Sequence, residues 1–152
     1  MNYKFIKRNG DRVNLIEYIK DQINKHPDTK VYVGTDSQDW GSFSHYATVV
    51  AFRYGNKGVH IVWKRTKFPR VNDHWSRLWR EVEMTVEVAN YIRDELPFLS
   101  IKAVEVDFNG EKNTLSNKLV KAARGWCEGL GYNVLIKPDE QIACQAADWL
   151  LK

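Results

Sequence analysis

Two aspartates that follow β-branched runs carry the chemistry this chain is expected to perform. Val31-Tyr32-Val33-Gly34-Thr35 leads into Asp36-Ser37-Gln38, and Ile101-Lys102-Ala103-Val104-Glu105-Val106 leads into Asp107-Phe108-Asn109. Both runs read as buried strands that deliver a carboxylate to a sheet edge or cleft. An unpaired acid in such a place costs on the order of several kcal/mol unless its charge is offset. Asp36 taken alone has a local reading as well, as a side chain capping the turn that follows it. The second acid shifts the balance, because two like charges on neighbouring strands need a proton or a metal between them. Oxygen-only donors of this kind suit a hard cation, Mg²⁺ or Mn²⁺. Alternation puts Ile101, Ala103, Glu105 and Asp107 on one face of their strand and Val104, Val106 and Phe108 on the other. Glu105 thus shares a face with Asp107 but lies about 7 Å further back, and is expected to pair with a Lys or Arg.

The second chemical feature is a basic, aromatic stretch. Arg53, Lys57, Lys64, Arg65, Lys67, Arg70, Arg77 and Arg80 occur within 28 residues against a single acid, Asp73, so this stretch holds +7 in a chain of net charge +4. Trp63, Phe68, Trp75 and Trp79 are interleaved with these cations. Cations bind phosphates and aromatic faces stack on exposed bases, so beside an acidic metal site the economical substrate is a phosphodiester. Read alone, the same stretch is a solvated positive surface over core tryptophans.

These residues must be positioned by a chain of 152 residues, 43% of them hydrophobic and 28% charged, which fits one globular domain over 1–152. No apolar run approaches the roughly 20 residues that span a bilayer, and the N-terminal MNYKFIKRNG has no signal-like apolar region. Cys127 and Cys144 lack metal-ligand spacing, and His26, His45, His60 and His74 form no HExxH-type motif. The expectation is a cytoplasmic protein with reduced thiols, no membrane segment and no zinc site.

A first helix is expected over 14–26, with Asn14 and Glu17 as a capping box, inside an N-terminal extension of residues 1–29. Strands follow at 30–36, 45–54 and 59–67, the last two joined by a hairpin loop. A long helix spans 73–95 and stops before Pro97. A strand at 101–108 leads through a loop at 109–113 to a helix at 114–130, with Leu115, Leu119, Ala122, Trp126 and Leu130 inward. A fifth strand covers 132–136, and Asp139 is expected to cap a final helix from 140. Three hairpin-linked strands and then alternating helix and strand imply a mixed α/β sheet with helices on both faces.

That order, with acids on the first and fourth strands, resembles the ribonuclease H-like (integrase/resolvase) fold: a five-stranded mixed sheet, three strands antiparallel and then parallel ones. Within it, the chain is similar to the YkuK-like family. The matching pieces are Val33-Gly34-Thr35-Asp36-Ser37-Gln38, Arg80-Glu81 with Thr85 and Ala89, Val106-Asp107-Phe108-Asn109, and Ser116-Asn117-Lys118. Gly125-Trp126-Cys127-Glu128-Gly129-Leu130-Gly131-Tyr132 and Lys137-Pro138-Asp139 with Ala147-Asp148 complete them, so the likeness spans residues 30 to 150. The resemblance implies a phosphodiesterase in which three or four carboxylates hold two Mg²⁺ or Mn²⁺ ions about 4 Å apart. Carried onto this chain, the ligands are Asp36, Glu81 and Asp107, with Asp148 as the fourth. Asp139 stays open as an alternative to Asp148, because nine residues put the two half a turn out of phase on one helix. Glu81, Thr85 and Val88 share a helix face distinct from that of Glu83 and Glu87. Lys64, Lys67, Arg70, Lys118 and Lys137 are the expected contacts to RNA, DNA or a hybrid. The other reading is an inert nucleic-acid-binding module on the same fold.

Overall fold

Small and β-branched residues dominate Thr29–Trp40, and this twelve-residue strand lies at the heart of a seven-stranded sheet. The computed structural model describes residues 4–108 and 114–152. The loop expected at 109–113 and the side chain of Leu115 lie outside the described residues. In chain order the elements are β1 (Lys4–Lys7), β2 (Arg12–Asn14), α1 (Leu15–Lys25), β3 (Thr29–Trp40), β4 (Phe43–Tyr54) and β5 (Val59–Pro69). There follow α2 (His74–Glu95), β6 (Ala103–Val106), α3 (Thr114–Gly129), β7 (Val134–Ile136) and α4 (Ala143–Leu151). The sheet order is β2-β1-β5-β4-β3-β6-β7. β3, β4 and β5 form an antiparallel meander, whereas β6 runs parallel to β3 and β7 parallel to β6.

The mixed α/β architecture is the expected one, with two strands more than the five anticipated. Both come from the segment read as an extension with one helix. β1 and β2 are four and three residues long, too short to show a period. Their marker is the turn between them, where Asn9 precedes Gly10 at φ +92° and the Asn9 side chain accepts from the Asp11 amide at 3.0 Å.

Helices α1, α2 and α3 cover one face of the sheet. Val31, Val33, Val50, Phe52, Val104 and Val106 meet Leu15 and Ile19 of α1, Val82, Val86 and Ile92 of α2, and Leu119, Ala123 and Cys127 of α3. Leu119 and Leu130 face the core as expected, but Ala123 and Cys127 take the inner places expected of Ala122 and Trp126: Ala122 is exposed, and Trp126 is 37% exposed while stacking on Trp79. Among the described elements α4 alone covers the other face, laying Ala143, Ala147 and Leu151 on Tyr32, Ala47, Val49, Ala51 and Ala103. Small side chains let this helix approach closely. A Cβ added to Gly34 would lie 2.8 Å from Cys144 Sγ, so only glycine leaves room there.

Two further differences bear on the site. β3 runs four residues past the expected end at 36, because β4 pairs with it as far as Trp40↔Phe43. α4 starts at Ala143 rather than 140, and Asp139 does not cap it but accepts from the Ile136 amide at 3.2 Å. The start of α4 is held by Glu105, whose carboxylate accepts from the Ile142 and Cys144 amides at 3.1 and 2.9 Å. Glu105 is 1% exposed, and its partners are helix N–H groups rather than the Lys or Arg expected. Among the described residues no helix is long and apolar enough to cross a membrane. Cys127 and Cys144 are both free and buried.

Candidate acidic cleft

The parallel pairing of β3 with β6 matches Tyr32 to Ala103, Val33 to Val104 and Gly34 to Glu105. Carried two residues further, this register sets Asp36 beside Asp107, at the level where β6 ends. Asp36 therefore emerges not from the tip of its strand but from its flank, where the neighbouring strand stops. Alternation along β3 sends Gly34 and Asp36 to the α4 face and Thr35 and Ser37 to the α2 face. Thr35 accordingly accepts a hydrogen bond from Thr85 of α2 at 2.9 Å. One turn earlier on α2, Glu81 accepts a hydrogen bond from the Ser37 hydroxyl. Glu81, Thr85 and Val88 are buried, and Glu83 and Glu87 are exposed, as the helical spacing predicts.

Asp36, Glu81, Asp107 and Asp148 all line one cleft of about 1080 Å³ between α2, α4 and the ends of β6 and β7. Burial raises the Asp36 carboxyl to about 6; the charges of Asp107 and Asp148 add to this, and the Ser37 amide and Lys137 oppose it. Glu81 is raised well above the ordinary range, first by burial and then by Asp36, so it tends to hold its proton. Asp107 forms an ion pair with Lys137 at 2.8 Å, which in turn raises the lysine. Asp148 is more open and pairs with Lys152 at 3.1 Å, one turn along α4. Asp139 also borders the cleft.

The donor chemistry fits a hard divalent cation: every acid offers oxygen, and burial leaves Asp36 and Glu81 short of countercharge. The spacing is open, however. Among the described residues no three His, Cys, Asp or Glu side chains gather closely enough to hold a metal ion as they stand. Asp107 and Asp148 each lean toward a lysine, and Glu81 toward Ser37.

The expected phosphate contacts divide between surfaces. Lys137 is in the cleft, and Arg70 stands beside it, 3.5 Å from Asp39. Lys67 is exposed on the α4 face of β5, whereas Lys64 points to the α2 face and is influenced by Glu87. Lys118 is exposed on α3, outside the cleft lining. Ser37, Asp39 and His74, given no role from the sequence, also line the cleft, as does Arg77 of the basic stretch. Asp39 accepts from Ser44 at 2.5 Å and from Arg77 at 2.7 Å; burial opposes its ionisation, but these partners keep its carboxyl below the ordinary value. Arg77 precedes Glu81 by four residues on one helix, a spacing that placed it on the same side.

A sheet of this order, with acids converging from an inner strand, an adjacent strand end and two helices, defines a class. The family model for Ribonuclease H-like proteins matches residues 14–152, and the chain belongs to the ribonuclease H-like family. The likeness to its YkuK-like members is consistent with that match. Comparison with curated proteins returned no match.

Proposed function

We propose that this protein is a metal-dependent nuclease that hydrolyses phosphodiester bonds of nucleic acid. The observation that carries the reading is the convergence of Asp36, Glu81 and Asp107, from three separate segments, on one cleft in which burial disfavours the ionised forms of Asp36 and Glu81. Asp36, Glu81, Asp107 and Asp148 are the residues that would hold two Mg²⁺ or Mn²⁺ ions. When bound, such ions supply the charge that activates water and stabilises the leaving oxygen. Lys137 and Arg77 supply positive charge at the cleft wall, suited to orienting a phosphate. Lys137 would then exchange its contact with Asp107 for one with substrate. In the metal-free protein Glu81 is held by the Ser37 hydroxyl, and a bound cation would favour its ionised form.

The test is cleavage of labelled RNA, DNA and hybrid oligonucleotides in Mn²⁺. Asp36→Asn keeps the shape and removes the charge, so it is expected to abolish cleavage while the circular dichroism spectrum is retained. Equal traces of cleavage by wild type and variant would reject the reading. The ion pairs of Asp107 with Lys137 and Asp148 with Lys152 favour a second reading, a binding module without catalysis. It is supported if the protein binds oligonucleotides but cleaves none with any divalent ion.

A further inference from the structure

Beyond Asp36, no described helix covers the α4 face of the sheet. Asp36, Gln38 and Trp40 follow one another along one face of β3, and their partners on β4 are Ala47, His45 and Phe43. The next strand adds Arg65 and Lys67, paired with Ala47 and His45. α4 packs over Ala47, Val49 and Ala51 of β4, so the far end of the meander projects past it. There Trp40 is 47% and Phe43 is 38% exposed, two large aromatic rings at the tip of one hairpin.

Each ring has a cation set against it. The Arg65 guanidinium lies 5.4 Å from the Trp40 ring centre, and the Lys67 ammonium 3.9 Å from that of Phe43. Neither cation has a carboxylate partner among the described residues. Arg65 instead donates to His45 Nδ1 at 3.1 Å, which requires that ring to be neutral on that side. Between Asp36 and Trp40, Gln38 carries a buried Oε1 with no hydrogen-bond partner among the described residues. The result is a strip about 13 Å long leading from the acidic cleft to a positively charged aromatic end.

We infer that Trp40 and Phe43, backed by Arg65 and Lys67, form a stacking platform for the unpaired bases of a single-stranded nucleic acid whose backbone continues into the cleft. The inference rests on reading that cleft as a nucleic-acid site, and deepens it by naming the substrate class. A base inside a duplex has both faces covered by its neighbours and cannot lie on a protein ring without leaving the stack. An unpaired base can, and stacking is indifferent to its identity. The cations then serve twice, holding each ring by cation–π attraction and meeting the phosphates between stacked bases.

The experiment is fluorescence anisotropy with a labelled oligothymidylate and with a duplex of equal length, in EDTA so that nothing is cleaved. Trp40→Ala and Phe43→Ala are each expected to weaken single-strand binding roughly 5- to 150-fold, the span of one base–aromatic stack, and to leave duplex binding and the salt slope unchanged. Trp40→Phe should restore most of the loss. Unchanged single-strand affinity, equal loss for both nucleic acids, or no binding by wild type would overturn the inference. So would sedimentation showing that the tip joins two copies of the chain and that Trp40→Ala separates them. The nuclease reading is judged apart, by Mn²⁺-dependent cleavage and its loss in Asp36→Asn. Failure of the platform with that cleavage intact, and the reverse, are therefore distinct results.

Discussion

At the scale of the residue, Asp36 sets a pH dependence whose sign is opposite to that of most surface carboxylates. Its folded-state value is about 6 against an ordinary 3.8. The folded protein therefore binds this proton more tightly than the unfolded chain, and ionisation opposes folding. Below about pH 4 the carboxyl is neutral in both states and adds no penalty. As pH rises through 4 to 6 a penalty accumulates, reaching about 3 kcal/mol above pH 6. Glu81 acts in the same direction. Urea denaturation in EDTA should show the midpoint of wild type declining over this window relative to that of Asp36→Asn, which cannot ionise. At neutral pH the variant should be the more stable protein, an outcome contrary to that of most substitutions at a buried position. Adding Mg²⁺ should raise the wild-type midpoint and leave that of Asp36→Asn nearly unmoved, because a ligand stabilises only the form it binds.

At the scale of the element, α4 depends on a single carboxylate. Glu105 receives two amides of its first turn at a buried position, so Glu105→Ala leaves those donors without partners. The expected loss is about 1–3 kcal/mol in chemical denaturation, with Glu105→Gln costing less because one carbonyl acceptor remains. This bond also shows where the sequence stopped being legible. Alternation along residues 101–108 correctly put Glu105 on the face of Asp107, and the 3.6-residue period separated Glu81 from Glu83 and Glu87. Periodicity gives the side a residue faces but not what stands opposite, so the partner of Glu105, a helix start 37 residues later, was not readable. The same limit explains Asp139, whose place before a helix looked like a cap while its carboxylate turned back to Ile136. It explains α3 as well, where Trp126 looked like core by type yet rests half-open against Trp79, and Cys127 takes the inner place. β1 and β2 escaped for a different reason, being shorter than any period that could reveal them.

At the scale of the whole molecule, the two sheet faces divide the positive charge that appears as one run in the sequence. Lys67 and Arg65 stand on the open α4 face, whereas Lys64 is half-buried on the face covered by α2. Nucleic-acid affinity measured over a range of salt should therefore respond unequally to neighbouring substitutions. Lys67→Ala and Arg65→Ala are each expected to reduce the log–log slope by roughly 0.7–0.9, one phosphate contact apiece. Lys64→Ala should leave the slope where it was. Both losses should be similar for all base sequences, since phosphates carry no base information.

The topology also fixes when in the life of the chain the acids first meet. Asp107 follows Asp36 by 71 positions, and Asp148 lies near the C-terminal end of α4, the last element. The meander of β3, β4 and β5 needs only hairpin contacts and precedes β6 in the chain, so it can form first. Pairing β6 in parallel with β3 must then close a long loop, the slow kind of contact, and α4 docks later still. Until that point no two of Asp36, Asp107 and Asp148 share a neighbourhood, and the nascent meander carries no electrostatic conflict. The repulsion of Asp36 with Asp107 and Asp148 therefore arises only at the closing step of assembly, whereas that with Glu81 of α2 precedes it.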